Sequence, residues 1–170
     1  LNISAGGAHC LAIKSDGTLW AWGDNTFGQL GDATNSNRAA PVQSGADSNW
    51  VSISAGGNHS LGLKSNGILW AWGKNNLGQL GDSTTTNSTS PTNISPENQW
   101  VQIIAGTAFS FGIKANGTLW SWGDNSSGQL GNGTTTGKVS PVLIGKSENV
   151  LSLFADGMHN LLLKADGSML

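Results

Sequence analysis

Short runs in which apolar and polar side chains alternate fill this chain, and nowhere do they settle into the spacing of an amphipathic helix. Val51, Ile53 and Ala55 alternate with Ser52 and Ser54, which predicts a strand with one apolar face, ended by Gly56 and Gly57. His59, Leu61 and Leu63 set against Ser60, Gly62 and Lys64 predict a second strand. Leu69 and Ala71 set against Trp70 and Trp72 predict a third. Between these two lies Asn66-Gly67, the signature of a two-residue type I′ hairpin, in which both central residues take positive φ. After Gly73 come residues 75–81, ending in Gly78-Gln79-Leu80-Gly81, then a Ser/Thr/Asn tract, Pro91 and a short fourth strand from Thr92 to Ile94.

The same pattern recurs without insertion in units 1–50, 51–100 and 101–150, and begins again in a partial unit, 151–170. Gly6, Gly56 and Gly106 align, as do Lys14, Lys64, Lys114 and Lys164, then Trp22, Trp72 and Trp122, then Pro41, Pro91 and Pro141; Asp16-Gly17, Asn116-Gly117 and Asp166-Gly167 repeat the hairpin. A fixed period of this length marks a solenoid, a propeller or an array, and four short strands per unit match a propeller blade. The expected fold is all-β: a β-propeller fragment of four-stranded antiparallel blades, in which residues 1–170 form a single repeat array within a larger or oligomeric propeller. One unit buries too little surface to be stable alone, so neighbours must share apolar faces. Both ends fall inside a repeat, so the chain reads as a piece of a longer array, and its open blade edges predict self-association.

Composition narrows the function. Net charge is −2 with 11% charged residues, and the one arginine and seven lysines are scattered, which removes the clustered basic footprint that nucleic acid requires. No apolar run approaches the roughly 18 residues of a transmembrane helix, so membrane insertion is not expected. The single cysteine, Cys10, allows no internal disulfide and reads as a small buried side chain. Sequons at Asn2, Asn58, Asn87, Asn93, Asn116, Asn125 and Asn132 are what turns rich in Asn, Ser and Thr generate by chance.

With these residues in place, the unit resembles the regulator of chromosome condensation repeat. The resemblance rests on Gly6-Gly7-Ala8-His9-Cys10, Leu19-Trp20-Ala21-Trp22-Gly23 and Gly28-Gln29-Leu30-Gly31, with their counterparts through Gly78-Gln79-Leu80-Gly81 and Gly128-Gln129-Leu130-Gly131. It covers the whole chain and implies a propeller, commonly of seven blades, that acts as a binding platform. Family members include a nucleotide exchange factor for a small GTPase that also docks on histones, a secreted inhibitor of β-lactamases and bacterial surface proteins. Exchange activity there depends on an inserted wedge, for which the strict 50-residue period leaves no room. The Trp-Ala-Trp-Gly style is closer to the bacterial repeats, so the expected location is extracellular or the cell surface, with the cytoplasm as the alternative.

Candidate chemistry is sparse. His9, His59 and His159 stand one per unit with Phe109 in the third, too far apart for one ion, and are expected to hydrogen-bond nearby backbone. The paired tryptophans are expected to pack between blades with each indole N–H partnered. Ser-Asp-Gly-Thr-Leu-Trp approaches a sialidase turn, yet the chain has no tyrosine nucleophile, and its two glutamates, Glu97 and Glu148, lie in variable loops. No catalytic residues, cofactor or metal are therefore expected. Variation between units is the remaining signal: tracts 33–49, 83–99 and 132–149, and the position held by Phe27, Leu77 and Ser127. Phe27, Arg38 and Leu77 are the candidate contacts for a protein partner of unknown identity. The expected function is a non-enzymatic scaffold for protein–protein interaction, in a bacterial surface or secreted protein. An exchange factor or chromatin adaptor for a Ran-type GTPase is one alternative, and an accessory domain of a larger enzyme is another.

Overall fold

A computed structural model describes residues 1–95, 99–145, 150–156, 159–164 and 167–168; Glu97, Glu148 and the side chain of His159 lie outside what is described. The first unit contributes β1 (Asn2–Ala5), β2 (His9–Ile13), β3 (Leu19–Gly23) and β4 (Arg38–Gln43). The second contributes β5 (Trp50–Ala55), β6 (His59–Lys64), β7 (Leu69–Gly73) and β8 (Ser88–Asn93), and the third β9 (Trp100–Ala105), β10 (Phe109–Lys114), β11 (Leu119–Gly123) and β12 (Lys138–Ile144). β13 (Val150–Asp156) and β14 (His159–Lys164) begin the fourth. Each complete unit is one antiparallel sheet in sequence order, and β13 pairs with β14. The first strands of successive units, β1, β5, β9 and β13, contact one another, so the blades converge along these inner strands. β4, β8 and β12 form the outer edges, where Pro41, Pro91 and Pro141 sit without breaking a ladder.

Two local expectations change. The fourth strand of the second unit begins at Ser88, not Thr92, because an edge strand tolerates the missing N–H of Pro91. The hairpins are not type I′. Gly17, Gly67 and Gly117 have φ near +77 (79, 75 and 78) while the preceding Asp16, Asn66 and Asn116 do not have positive φ. Each glycine N–H returns to the lysine carbonyl three residues back, and the lysine N–H bonds the residue after the glycine. This is a type I turn closed by a glycine bulge. Asp16 Oδ1 accepts from Thr18 N and Thr18 Oγ1, using the side chain to brace the turn.

No sheet has an interior of its own, so the core lies between sheets. Leu11, Ile13, Leu19, Ala21 and Leu30 of the first unit cluster with Trp50, Ile53, Ala55 and Trp72 of the second. Leu61, Leu63, Leu69, Ala71 and Leu80 cluster in the same way with Trp100, Ile103, Ala105 and Trp122. Strand alternation thus gives each blade two apolar faces, one for each neighbour. β6 and β10 are buried along their whole length, whereas β2 alternates between buried and half-buried because its second face meets no blade. Cys10 belongs to that open face and is half-buried, not buried as its size implied.

Hydrogen bonds run through the same joints. The Gln29 carbonyl accepts from Ser60 Oγ at 2.8 Å and from Trp72 Nε1 at 2.9 Å, both on the next blade. The Gln79 carbonyl accepts from Ser110 Oγ at 2.8 Å and Trp122 Nε1 at 3.0 Å. The histidines do not bond backbone as expected: His9 Nε2 meets Ser60 Oγ at 3.0 Å, and His59 Nε2 meets Ser110 Oγ at 2.9 Å. Because each serine donates its proton to the glutamine carbonyl, its oxygen accepts from Nε2–H, so in the neutral ring the proton sits on Nε2. Nδ1 then remains a buried acceptor without a partner in both rings. Not every indole is satisfied either: Trp20 and Trp120 donate to Thr18 and Thr118, but Trp70 has Ile68 at that place and no partner.

Burial, partly opposed at His9 by the charge of Asp24, lowers the His9 pKa from 6.5 to about 4, and burial with the influence of His9 lowers His59 to about 3. Lowered histidine pKa values mean that the unfolded chain takes up protons first as pH falls. The stability these joints supply is therefore complete above pH 6.5 and declines below it, at up to ~1.4 kcal/mol per pH unit for each imidazole, until the folded pKa values are reached. Urea unfolding of the wild-type chain should show a clear stability loss between pH 7 and pH 5. His59→Phe, the residue the third unit carries, should show a smaller loss over that interval; an equal loss would contradict the assignment.

Candidate interaction surface

The variable tracts divide between the two ends of the blades. Gly23 pairs with Arg38, so loop 24–37 and its counterparts 74–87 and 124–137 leave the sheets at the same end as the glycine turns between the first two strands. The tight hairpins and loop 44–49 lie at the opposite end, where Ile13 pairs with Leu19 and Trp20 with Gln43. Phe27, Leu77 and Arg38 are therefore brought to one end, although nothing joins all three into a single cluster.

Their settings differ. Leu77 is 44% exposed and faces solvent. Phe27 is half-buried, and its ring carries Lys74 of the next blade with Nζ 4.5 Å from the centroid. Arg38 folds back, donating from Nε to Asp32 Oδ2 at 2.7 Å, with a second, longer bond from its Nη2 to Thr34 Oγ1. Burial pushes the Asp32 carboxyl up, but hydrogen bonds from Thr34, Arg38 and Asn25 outweigh it and hold the pKa below the ordinary value.

One amide organises each loop, and sequence reading passed over it. Asn25 Oδ1 accepts from Leu30 N, while its Nδ2 faces Asp32 Oδ1, Thr34 O, Thr34 Oγ1 and Ser36 O at 3.0 to 3.2 Å. Asn75 and Asn125 repeat the arrangement, and all three are fully buried. Their recurrence at a fixed repeat position was the available signal. It also removes Asn125 as a glycosylation site, because its Nδ2 is consumed inside the loop.

Gln29 ties this loop to the joint. Its carbonyl serves the blade interface, its Oε1 accepts from Phe27 N at 2.9 Å, and its Nε2 donates to Asp24 Oδ2 at 2.6 Å. Gln129 binds Ser127 N and Asp124 in the same way. Lys74 replaces the aspartate in the second unit, so the loop tip keeps its geometry while its charge changes sign. Among the described residues no three His, Cys, Asp or Glu side chains lie close enough to hold a metal ion. The surface presents rigid loops of varied tips, suited to contact recognition.

Asn75→Ala would strand the Leu80 amide and several buried oxygens, and should cost roughly 2–4 kcal/mol in urea unfolding. Leu77→Ala, at an exposed tip, should stay within ~0.5 kcal/mol of wild type. Equal costs would contradict the division between scaffold and tip.

Models of the regulator of chromosome condensation repeat match residues 16–63, 66–113 and 116–163, and a second model of the same repeat matches 2–29, 50–79 and 100–129. The ultraviolet-B receptor UVR8 of Arabidopsis thaliana is 48% identical over 42 residues, which are 25% of this chain and 10% of that protein. The human E3 ubiquitin-protein ligase HERC2 is 34% identical over 53 residues, which are 31% of this chain and 1% of that protein. Among solved structures, human WBSCR16 superposes with TM-score 0.86 at 24% identity, over 99% of this chain and 46% of that one. Prp20p of Saccharomyces cerevisiae, studied for binding to Gsp1p and histones, superposes at 0.82 and 24% identity, over 94% of this chain and 42% of that one. The chain thus spans less than half the length of these propellers and a small part of the relatives matched by sequence. With three complete units matched in sequence and in fold, the chain belongs to the regulator of chromosome condensation repeat family.

Proposed function

We propose that this array is a non-enzymatic scaffold that binds a protein partner through the loop-bearing end of its blades. The observation that carries the reading is the contrast at that end: each loop is pinned by a buried asparagine and a glutamine, yet the residues so presented are Phe27 under Lys74, Leu77 and Ser127. Rigid backbones with differing tips are how scaffolds vary specificity without refolding. The uninterrupted period within residues 1–170 leaves no inserted wedge, which favours plain binding over nucleotide exchange. Binding of Gsp1p and histones by Prp20p supports a protein as the class of partner.

The chain immobilised as bait tests this reading. Wild type should retain a defined protein that Leu77→Asp and Lys74→Ala release and that Ser15→Arg, at the hairpin end, keeps. Retention of nothing, or an identical catch with all variants, would overturn the loop-end assignment.

A further inference from the structure

The first and third loops each seat a carboxylate of their own near the tip. In the first, Gln29 Nε2 donates to Asp24 Oδ2 at 2.6 Å, while Thr26 N and Thr26 Oγ1 donate to Asp24 Oδ1 at 3.2 and 2.6 Å. In the third, Gln129 Nε2 and Ser126 Oγ donate to Asp124 Oδ2 at 2.8 and 3.2 Å, and Ser126 N donates to Asp124 Oδ1 at 3.1 Å. A carboxylate thus bridges a backbone N–H and a glutamine amide in both. The hydrogen bond from Thr26 Oγ1 foremost, partly opposed by burial, holds the Asp24 carboxyl below its ordinary pKa, so the place favours the charged form.

The second loop, which has a complete blade on either side, keeps these donors and lacks the acceptor. Lys74 stands where the aspartates stand, and Asn76 where Thr26 and Ser126 stand. The backbone frame is unchanged: Lys74 N donates to Asn58 O at 2.9 Å, as Asp24 N does to Ala8 O and Asp124 N to Ala108 O. Leu77 N donates to Gln79 Oε1 at 2.9 Å, the same distance as Phe27 N to Gln29 Oε1 and Ser127 N to Gln129 Oε1. An amide anchored by its oxygen in the same way directs its nitrogen in the same way, so Gln79 Nε2 points to the place the carboxylate holds in the other two loops. Gln79 is 2% exposed, and neither its Nε2 nor Asn76 N has a hydrogen-bond partner among the described residues. Lys74 brings an ammonium that forms no ion pair among the described residues and lies over Phe27, 4.5 Å from the ring centroid. Asn76 and Leu77 are exposed, which leaves the place open to approach from outside.

Granted the protein partner proposed above, we propose that Asn76 N–H, Gln79 Nε2–H and the Lys74 ammonium form a docking point for the carboxylate of an acidic side chain on that partner, seated where Asp24 and Asp124 place their own. Hydrogen bonds to a carboxylate are roughly twice as strong as those between neutral groups, and two N–H donors side by side fix its orientation. The ammonium supplies the sign. The first and third loops, filled by their own aspartates, repel a second carboxylate, so the second loop alone selects for one.

Sodium acetate, a carboxylate with no partner attached, probes the site by NMR on the whole chain, with sodium chloride at equal ionic strength as the control. Acetate should move the Asn76 N–H and Gln79 Nε2–H signals saturably and leave those of Thr26, Ser126, Gln29 and Gln129 in place. Lys74→Ala should weaken this binding at least ~10-fold. Lys74→Asp, which gives the second loop the side chain of the other two, should abolish it and slow deuterium exchange at Asn76 N–H at least ~10-fold, because an internal carboxylate then takes the place. No acetate response, an equal response to chloride, or a response that survives Lys74→Asp overturns the docking point, even if the bait retains a protein. Where the acetate response is as expected, a protein retained equally by wild type and Lys74→Asp overturns the assignment to the partner's side chain. An empty bait beside an intact acetate response overturns the protein partner instead, and leaves a site for a free carboxylate.

Discussion

The structure depends on the backbone carbonyl that ends each blade's glutamine. Gln29 O uses both of its lone pairs on the next blade, taking Ser60 Oγ–H and Trp72 Nε1–H, and Gln79 O does the same one unit later. Everything around it follows from that saturation. The serine, having given its proton away, must accept one, so the histidine opposite carries a proton on Nε2, and burial keeps the ring neutral. The indole, having found a partner, can be buried completely, and Trp72 and Trp122 fill the apolar joint with no exposed surface. Net worth of each such bond is modest, ~0.5–1.5 kcal/mol, but leaving any member unpaired in a dry joint costs more than the bond contributes. The joint is therefore closed to most substitutions, which accounts for a period that runs without insertion.

The same glutamine extends this rigidity outward. Its side chain fixes the backbone of the tip residue, and the neighbouring asparagine gathers four acceptors of the loop around one amide nitrogen. Backbone shape at the loop-bearing end is thus specified by residues that do not vary, while residues 24, 27 and 38 of the unit are free to change charge, size and pairing. The division of labour is physical: invariance lies where hydrogen bonds are buried, and variation where solvent can satisfy whatever is placed there.

The blades were legible because alternation of period two and glycine punctuation are local. The joint was half legible. That Trp50 faces Gly62, where an added Cβ would come within 2.6 Å of the ring, is foreshadowed in sequence by Trp100 with Gly112 and by Val150 with Leu162. That His9 would meet Ser60 was not, because the partners lie 51 residues apart and each has a plausible local partner. The turn type departs from the sequence expectation for a simpler reason: Asp and Asn can adopt positive φ, but here they brace the turn through Oδ1 and leave that conformation to glycine alone. Phe27, Leu77 and Arg38 could be picked as variable positions, yet only geometry shows that Arg38 is turned inward to Asp32 and that Lys74 covers Phe27. Asn25, Asn75 and Asn125 went unread because an asparagine among Ser, Thr and Gly looks like any other turn residue.

The joint itself is open to direct measurement by a double-mutant cycle on His9→Phe and Ser60→Ala, read by urea unfolding at pH 7. Coupling across the blade boundary predicts that the pair departs from additivity by roughly 1–2 kcal/mol. Additivity within ~0.5 kcal/mol would show that the two side chains meet without holding the blades together, and would contradict the account.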